Sequence, residues 1–144
     1  MKQQTLSQIA AYANATLSPA ADANAPVRAV SIDTRTLDPG DLYVPIIGER
    51  LDGHRFIDMA FEKGAVACLH DAKHTPSVDD TRAYLAVDDT TEAFTRMAAN
   101  YRASLATTVI GITGSNGKTT TKDIVHSVLQ QTFRTVKTTG NLNN

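Results

Sequence analysis

The stretch "TTVIGITGSNGKTTTKDIVHSVLQQT", Thr107 to Thr132, changes its pattern in the middle, and that change decides the fold class. Its opening is β-branched and apolar, which predicts a buried strand over Thr107–Thr113. Its close places Ile124, Val125, Val128 and Leu129 on one helical face, and "RTVKT" (Arg134–Thr138) follows as a further strand, completing a βαβ unit. Between strand and helix lies "GSNG". Gly114 and Gly117 permit positive φ and bring consecutive N–H groups around an anion. The helix that follows contributes unpaired amides and the positive end of its dipole. Gly114, Ser115, Asn116, Gly117, Lys118, Thr119 and Thr120 are therefore the candidate triphosphate cradle. Lys118 supplies a point charge for the β and γ phosphates, Thr119 a hydroxyl for Mg²⁺, and Thr120 a second hydroxyl. The common Walker spacing wants glycine five residues before Gly117, where this chain has Ile112. The plainer alternative is a glycine-rich strand-to-helix turn with no ligand.

Upstream, Leu6, Ile9, Ala10, Ala13 and Leu17 recur at helical spacing, so a helix is expected over about residues 5–14. "SPAADANAP" reads as loop, "VRAVSID" (Val27–Asp33) as a strand, and "LYVPII" (Leu42–Ile47) as an edge or irregular strand because of Pro45. "HRFIDMAFEKGA" gives a one-faced helix ended by Gly64; "VACLH" (Val66–His70) and "AYLAV" (to Val87) are short strands. Asp89, with Glu92 three residues on, opens a helix whose apolar face is Phe94, Met97, Ala98, Tyr101 and Leu105, expected as the passage between two parts of the chain. The predicted class is α/β: a small mixed-sheet domain over 1–88, then a linker helix and the first βαβ of a nucleotide-binding domain over 89–144.

With 144 residues and a formal net charge of −1, the chain carries no basic surplus for nucleic acid. Its single cysteine, Cys68, sits in "GAVACLH" and reads as a small buried hydrophobe, so no disulfide framework exists and a reducing compartment is expected. No segment approaches the roughly 20 apolar residues of a membrane span, and the amino terminus lacks a signal-peptide apolar run, so the cytoplasm is the expected location.

"GITGSNGKTTTK" resembles the ATP-binding loop of the Mur ligases, whose Thr-Gly-x-Asn-Gly-Lys-Thr replaces the Walker spacing. "SIDTRTLDPGDLYVPIIGERLDGHRFIDMAFEKGA" (Ser31–Ala65) resembles that family's amino-terminal UDP-binding domain, in which Asp-Ser-Arg, Pro-Gly-Asp-Leu-Phe-Val, Asp-Gly-His and Gly-Ala follow in order. "TVKTTGNLNN" is similar to the member that adds D-Ala-D-Ala to UDP-MurNAc-tripeptide in peptidoglycan precursor synthesis. The resemblance implies ATP and Mg²⁺ as cofactors, and UDP-MurNAc-tripeptide and D-Ala-D-Ala as partners. It also implies a monomeric parent, with no nucleic acid and no membrane insertion.

Residue by residue, it implies that Asp33, Thr34 and Arg35, with Gly48, Glu49 and Arg50, hold the UDP part, Thr34 standing where the family usually has Ser. Guanidinium forks suit a pyrophosphate, although a solvated arginine is the alternative for both Arg35 and Arg50. Asp52 reads as a cap and His54 as a structural histidine; His70, His74 and His126 show no metal-ligand spacing. Asn141, Asn143 and Asn144 match a family segment near nucleotide, metal and peptide, against a loop-capping alternative. The implied reaction activates the substrate carboxylate as an acyl phosphate, with Lys118 and Thr119 as the catalytic candidates. Family members are longer, so the expectation is a fragment inactive by itself. The alternatives are the preceding ligase, which adds the third residue, a non-catalytic UDP-sugar-peptide binding module, and an unrelated P-loop kinase.

Overall fold

The computed structural model describes residues 3–49, 51–77 and 80–139. The chain divides into two compact units, 1–105 and 106–144, each considered by itself. The first opens with β1 (Gln4–Thr5) and α1 (Leu6–Ala13). Thr5 caps α1 by accepting from the Gln8 N–H while the Gln8 side chain returns to the Thr5 N–H, a reciprocal capping box. Asn14, at φ +56, closes the helix in the left-handed conformation.

Four short strands run parallel: β4 (Val30–Ser31), β5 (Leu42–Tyr43), β6 (Ala67–His70) and β7 (Tyr84–Ala86). The edge strand β2 (Thr16–Leu17) pairs antiparallel with β7, giving a mixed sheet ordered β2-β7-β6-β5-β4. β3 (Pro26–Val27) pairs antiparallel with β1 in a separate two-stranded ribbon. The sequence reading anticipated the parallel strands but not β1 or β2, because two-residue strands carry no periodicity to detect.

Alternation along the strands sorts side chains to two faces. Leu42, Val44, Ala67, Leu69 and Leu85 pack with Leu6, Ile9 and Ala13 of α1 and with Ala93 and Met97 of α3 (Thr90–Ala103). Tyr43, Cys68 and Tyr84 pack on the other face with Ala60 of α2 (Ile57–Glu62), flanked by Phe56, Ile57 and Phe61. Each fully buried leucine contributes about 1.5–3 kcal/mol over leaving it in water. Cys68 is fully buried and burial pushes its thiol far up, in keeping with its reading as a core residue. Asp89 caps α3 by accepting from the Glu92 N–H at 2.8 Å, as expected. The helix itself, read as a passage between two parts, packs on α1, with Asn100 Nδ2 donating to the Tyr12 carbonyl, so the compact unit extends to Leu105.

In the second unit, α4 (Lys118–Leu129) forms as expected, but 107–113 and 134–138 join no ladder among the described residues. Ile124 and Val128, expected inward, are exposed, as are Val109, Ile110 and Val136. The apolar run that reads as a buried strand is real, but a strand needs a neighbouring strand to complete its hydrogen bonds.

Two features of the first unit generate tests. Arg82 donates to Asp80 and Asp58 and lies over the Phe61 ring at 4.7 Å, while Tyr84 also donates to Asp80. The Arg82 side-chain hydrogen bonds hold the Asp80 carboxyl well below the usual carboxylate range, against burial, which raises it. A carboxyl depressed by folding adds stability that is complete above its unfolded pKa, about 4, and is lost as pH falls through the folded value. Asp80→Asn should therefore lower the melting temperature at neutral pH and flatten its fall below about pH 4; parallel acid profiles would show that the pair adds nothing. Separately, a Cβ on Gly53 would stand 2.7 Å from the Ile46 nitrogen and 2.9 Å from its oxygen. Gly53→Ala should cost about 1–3 kcal/mol in a urea melt, and an unchanged midpoint would show that the backbone yields freely.

Candidate nucleotide and substrate sites

The phosphate-loop candidate is built by two glycines. Gly114 has φ +149 and Gly117 φ +78, both in the region that favours glycine. Gly117 is the N-cap of α4, and no side chain caps the helix. The first helical bond runs from the Thr121 N–H to the Gly117 carbonyl at 2.8 Å, so the amides of Lys118, Thr119 and Thr120 precede it and have no acceptor within the helix. A Cβ at Gly117 would meet nothing within 4 Å, so the conformation, not crowding, demands glycine there. Lys118 Nζ donates to the Gly114 carbonyl at 2.6 Å, laying its charge back across the loop.

Ser115, Asn116, Thr119 and Thr120 are exposed around this turn. On its other side α4 is tied to the following segment: Lys122 Nζ donates to the Thr138 carbonyl, Lys137 pairs with Asp123, and Thr135 Oγ1 lies 3.0 Å from His126 Nδ1. The loop thus presents a cation, consecutive amides and free hydroxyls on one exposed turn, a donor set that suits a polyphosphate. Thr119 offers the hydroxyl that a divalent cation on that phosphate would take.

In the first unit, Asp33 accepts from the Arg35 N–H at 2.9 Å and from Nε and Nη2 of the same guanidinium. Those side-chain bonds, then the backbone bond, hold the Asp33 carboxyl down at about 2. Arg35 keeps 87% of its side chain exposed, so its remaining N–H groups face solvent while Asp33 fixes its direction. Thr34 is buried, and its carbonyl accepts from Lys63 Nζ at 2.6 Å. Sequence reasoning missed Lys63, since nothing in its spacing ties the end of α2 to this turn.

Gly48 donates its N–H to the Leu51 carbonyl at 2.9 Å, closing a turn whose ends, Ile47 and Asp52, bridge antiparallel. Glu49 is exposed on that turn. Arg50, Asn141, Asn143 and Asn144 lie outside the described residues.

Asp52 does cap the turn Gly53–Phe56: its Oδ1 accepts from the His54 N–H at 2.9 Å and lies 2.7 Å from His54 Nδ1. Partial burial pushes the Asp52 carboxyl up, and the backbone and ring bonds from His54 outweigh it, so it sits below its ordinary value. His54 is buried, as a structural histidine should be. His74, to which the sequence reading assigns nothing, stacks on His54 with ring centroids 3.8 Å apart and planes 9° apart, its Nε2 3.1 Å from Asp52 Oδ2. The three residues have the right types for a metal site. Parallel rings at this spacing do not aim their lone pairs at one point, so the arrangement as it stands is a hydrogen-bonded stack.

Among the described residues, no helix is long and apolar enough to cross a membrane. Residues 26–102 match the Mur ligase family, catalytic domain, and 112–144 match the Mur ligase middle domain. The chain is 43% identical over its whole length to UDP-N-acetylmuramoyl-tripeptide--D-alanyl-D-alanine ligase of Bacillus subtilis and 40% identical over 97% of its length to that of Escherichia coli. It spans 31% and 29% of those proteins respectively. UDP-N-acetylmuramoyl-L-alanyl-D-glutamate--2,6-diaminopimelate ligase of Syntrophomonas wolfei matches at 36% identity over 118 residues, 81% of this chain and 24% of that protein. Among solved structures, MurF from Acinetobacter baumannii matches with a TM-score of 0.87 and 30% identity, covering all of this chain and 31% of that one. MurF from Thermotoga maritima in complex with ADP matches with a TM-score of 0.69 and 33% identity, over 81% of this chain and 26% of that one. Two family patterns in the expected order, and relatives matched along the whole chain, place this protein in the Mur ligase family.

Proposed function

We propose that this chain carries the UDP-substrate-binding part and the opening of the ATP-binding part of a ligase that joins D-Ala-D-Ala to UDP-MurNAc-tripeptide. The division proposed is 1–88 for substrate and 89–144 for the linker helix and nucleotide loop. The observation that carries the reading is the α4 N-terminus, which has no side-chain cap and has Lys118 folded onto its own loop. An amide cluster with a lysine beside it suits the β and γ phosphates of ATP. It is supported by the names of the relatives at 43% and 40% identity and by the ADP complex of the Thermotoga protein. The ligase adding the third residue is the second reading, favoured by two 2,6-diaminopimelate ligases that match at 36% over 81% of the chain and at 41% over 72% of it.

In the proposed reaction the tripeptide's terminal carboxylate attacks the γ-phosphoryl, forming a C–O–P linkage and releasing ADP. The amine of D-Ala-D-Ala then attacks the activated carbonyl, phosphate leaves with the C–O bond electrons, and an amide results. This chain's residues serve the first step by position and charge. Lys118 and the amides of Lys118, Thr119 and Thr120 neutralise the phosphates, and Gly114 and Gly117 let the backbone approach them closely. Mg²⁺, when bound, would supply further charge neutralisation between phosphates, with Thr119 as the residue here that fits it. In the substrate part, Arg35, aimed by Asp33, and the turn of Gly48, Glu49 and Arg50 are proposed to hold the diphosphate and nucleoside. The cytoplasm is the proposed location, and a monomer the proposed state.

Calorimetric titration of the chain with ATP and with UDP-MurNAc-tripeptide tests this. Lys118→Ala should weaken ATP about tenfold or more, the loss of a charge-assisted contact, and leave the UDP ligand's affinity unchanged. Arg35→Ala should do the reverse. Equal losses for both ligands in either variant, or no binding of the UDP ligand by the unaltered chain, would sink the assignment.

A further inference from the structure

His74 lies in the polar connection after β6, far in sequence from the Ile47–Asp52 turn, yet both its nitrogens are committed to carboxylates. Nδ1 is 2.7 Å from Asp71 Oδ1 and Nε2 is 3.1 Å from Asp52 Oδ2. An ionised carboxylate only accepts, and a neutral imidazole has one N–H, so both contacts are complete only when the ring carries two. Burial raises the Asp71 carboxyl, and its contacts with the His74 ring and the Lys73 N–H together outweigh that, leaving Asp71, like Asp52, below its ordinary value and ionised at neutral pH.

The groups facing the ring are therefore two anions and the stacked His54 ring, whose Nδ1 is engaged with Asp52 Oδ1. Nearby, Tyr43 donates its hydroxyl to the Gly53 carbonyl, and burial pushes it up to about 12, so it brings no charge. Asp71 is itself anchored, its Oδ1 accepting from the Lys73 and His74 N–H groups.

We propose that His74 is a positioning residue for the substrate turn: as an imidazolium held between Asp71 and Asp52, it fixes the Asp52 end of the turn that carries Gly48 and Glu49. The chain of contacts is short. Asp71 orients His74, His74 holds Asp52, and Asp52 bridges Ile47 across the turn closed by the Gly48 N–H. Loss of the second proton turns a lone pair toward a carboxylate, and one side of the clamp opens. The turn then keeps its backbone bridge but loses its external tether. Substrate affinity consequently depends on a ring that donates to both carboxylates. This inference rests on the reading of the turn as part of the UDP site.

The test combines amide exchange at Gly48 and Gly53 with calorimetric titration of UDP-MurNAc-tripeptide. His74→Gln should bind about fivefold more weakly than the unaltered chain, the scale of one partly exposed charged contact. His74→Arg, which keeps a permanent charge and donors for both carboxylates, should restore affinity. Exchange at Gly48, corrected for intrinsic rates, should speed up in His74→Gln and not in His74→Arg. Unchanged exchange in His74→Gln overturns the inference outright. Faster exchange with unaltered affinity also overturns it, while leaving the UDP site standing. Absence of UDP-ligand binding by the unaltered chain instead defeats the underlying site assignment, and the inference with it.

Discussion

Leu42 and Tyr43 are neighbours in the chain and point to opposite faces of the sheet, and neither has a face to spare for water. This two-sided burial is the constraint on which the first unit depends. A strand with parallel partners on both sides must be covered above and below, so α1 and α3 are required on one face and α2 on the other. Arg28 is tethered to the carboxylate of Asp41, at the entry to the same strand, and Asp41 accepts in turn from the Asp38 N–H, so polar bonds fix where β5 begins.

The two turns proposed to hold the UDP part hang from this frame. β4 ends at Ser31, whose hydroxyl brackets Asp33, and β5 leads into the turn that closes at Asp52. The two turns are separate in sequence but leave adjacent parallel strands in the same direction, so the sheet delivers both to its carboxyl-terminal edge. Close packing at Gly53, against the backbone of Ile46, holds the second turn against the strand that precedes it.

Much of this was legible. The α1 periodicity, the Asp89 cap, the core role of Cys68 and the glycine turn before α4 stand where local pattern places them, because each depends on residues within a few positions, whereas in α3 Met97 is buried as expected but Ala98 is exposed and Ala93 takes the core place. The links between Lys63 and Thr34 and between His74 and Asp52 were not legible, since they join residues brought together only by the fold. The strands expected beside α4 show the converse limit. Val109 and Ile110 have the composition of a buried strand, but composition cannot provide the neighbour that a ladder requires.

The Lys118 contact with Gly114 has a thermodynamic consequence for ligand capture. A free lysine side chain has close to 2 kcal/mol of rotamer freedom to lose on being fixed, about as much as any residue. Here the ammonium is already held at 2.6 Å by the loop's own carbonyl, so much of that entropy has been surrendered before any anion arrives. On the proposed reading, a phosphate arriving there would exchange one acceptor for a stronger one and would not have to freeze a wandering chain, which makes the loop's affinity a question of competing acceptors more than of order imposed on disorder.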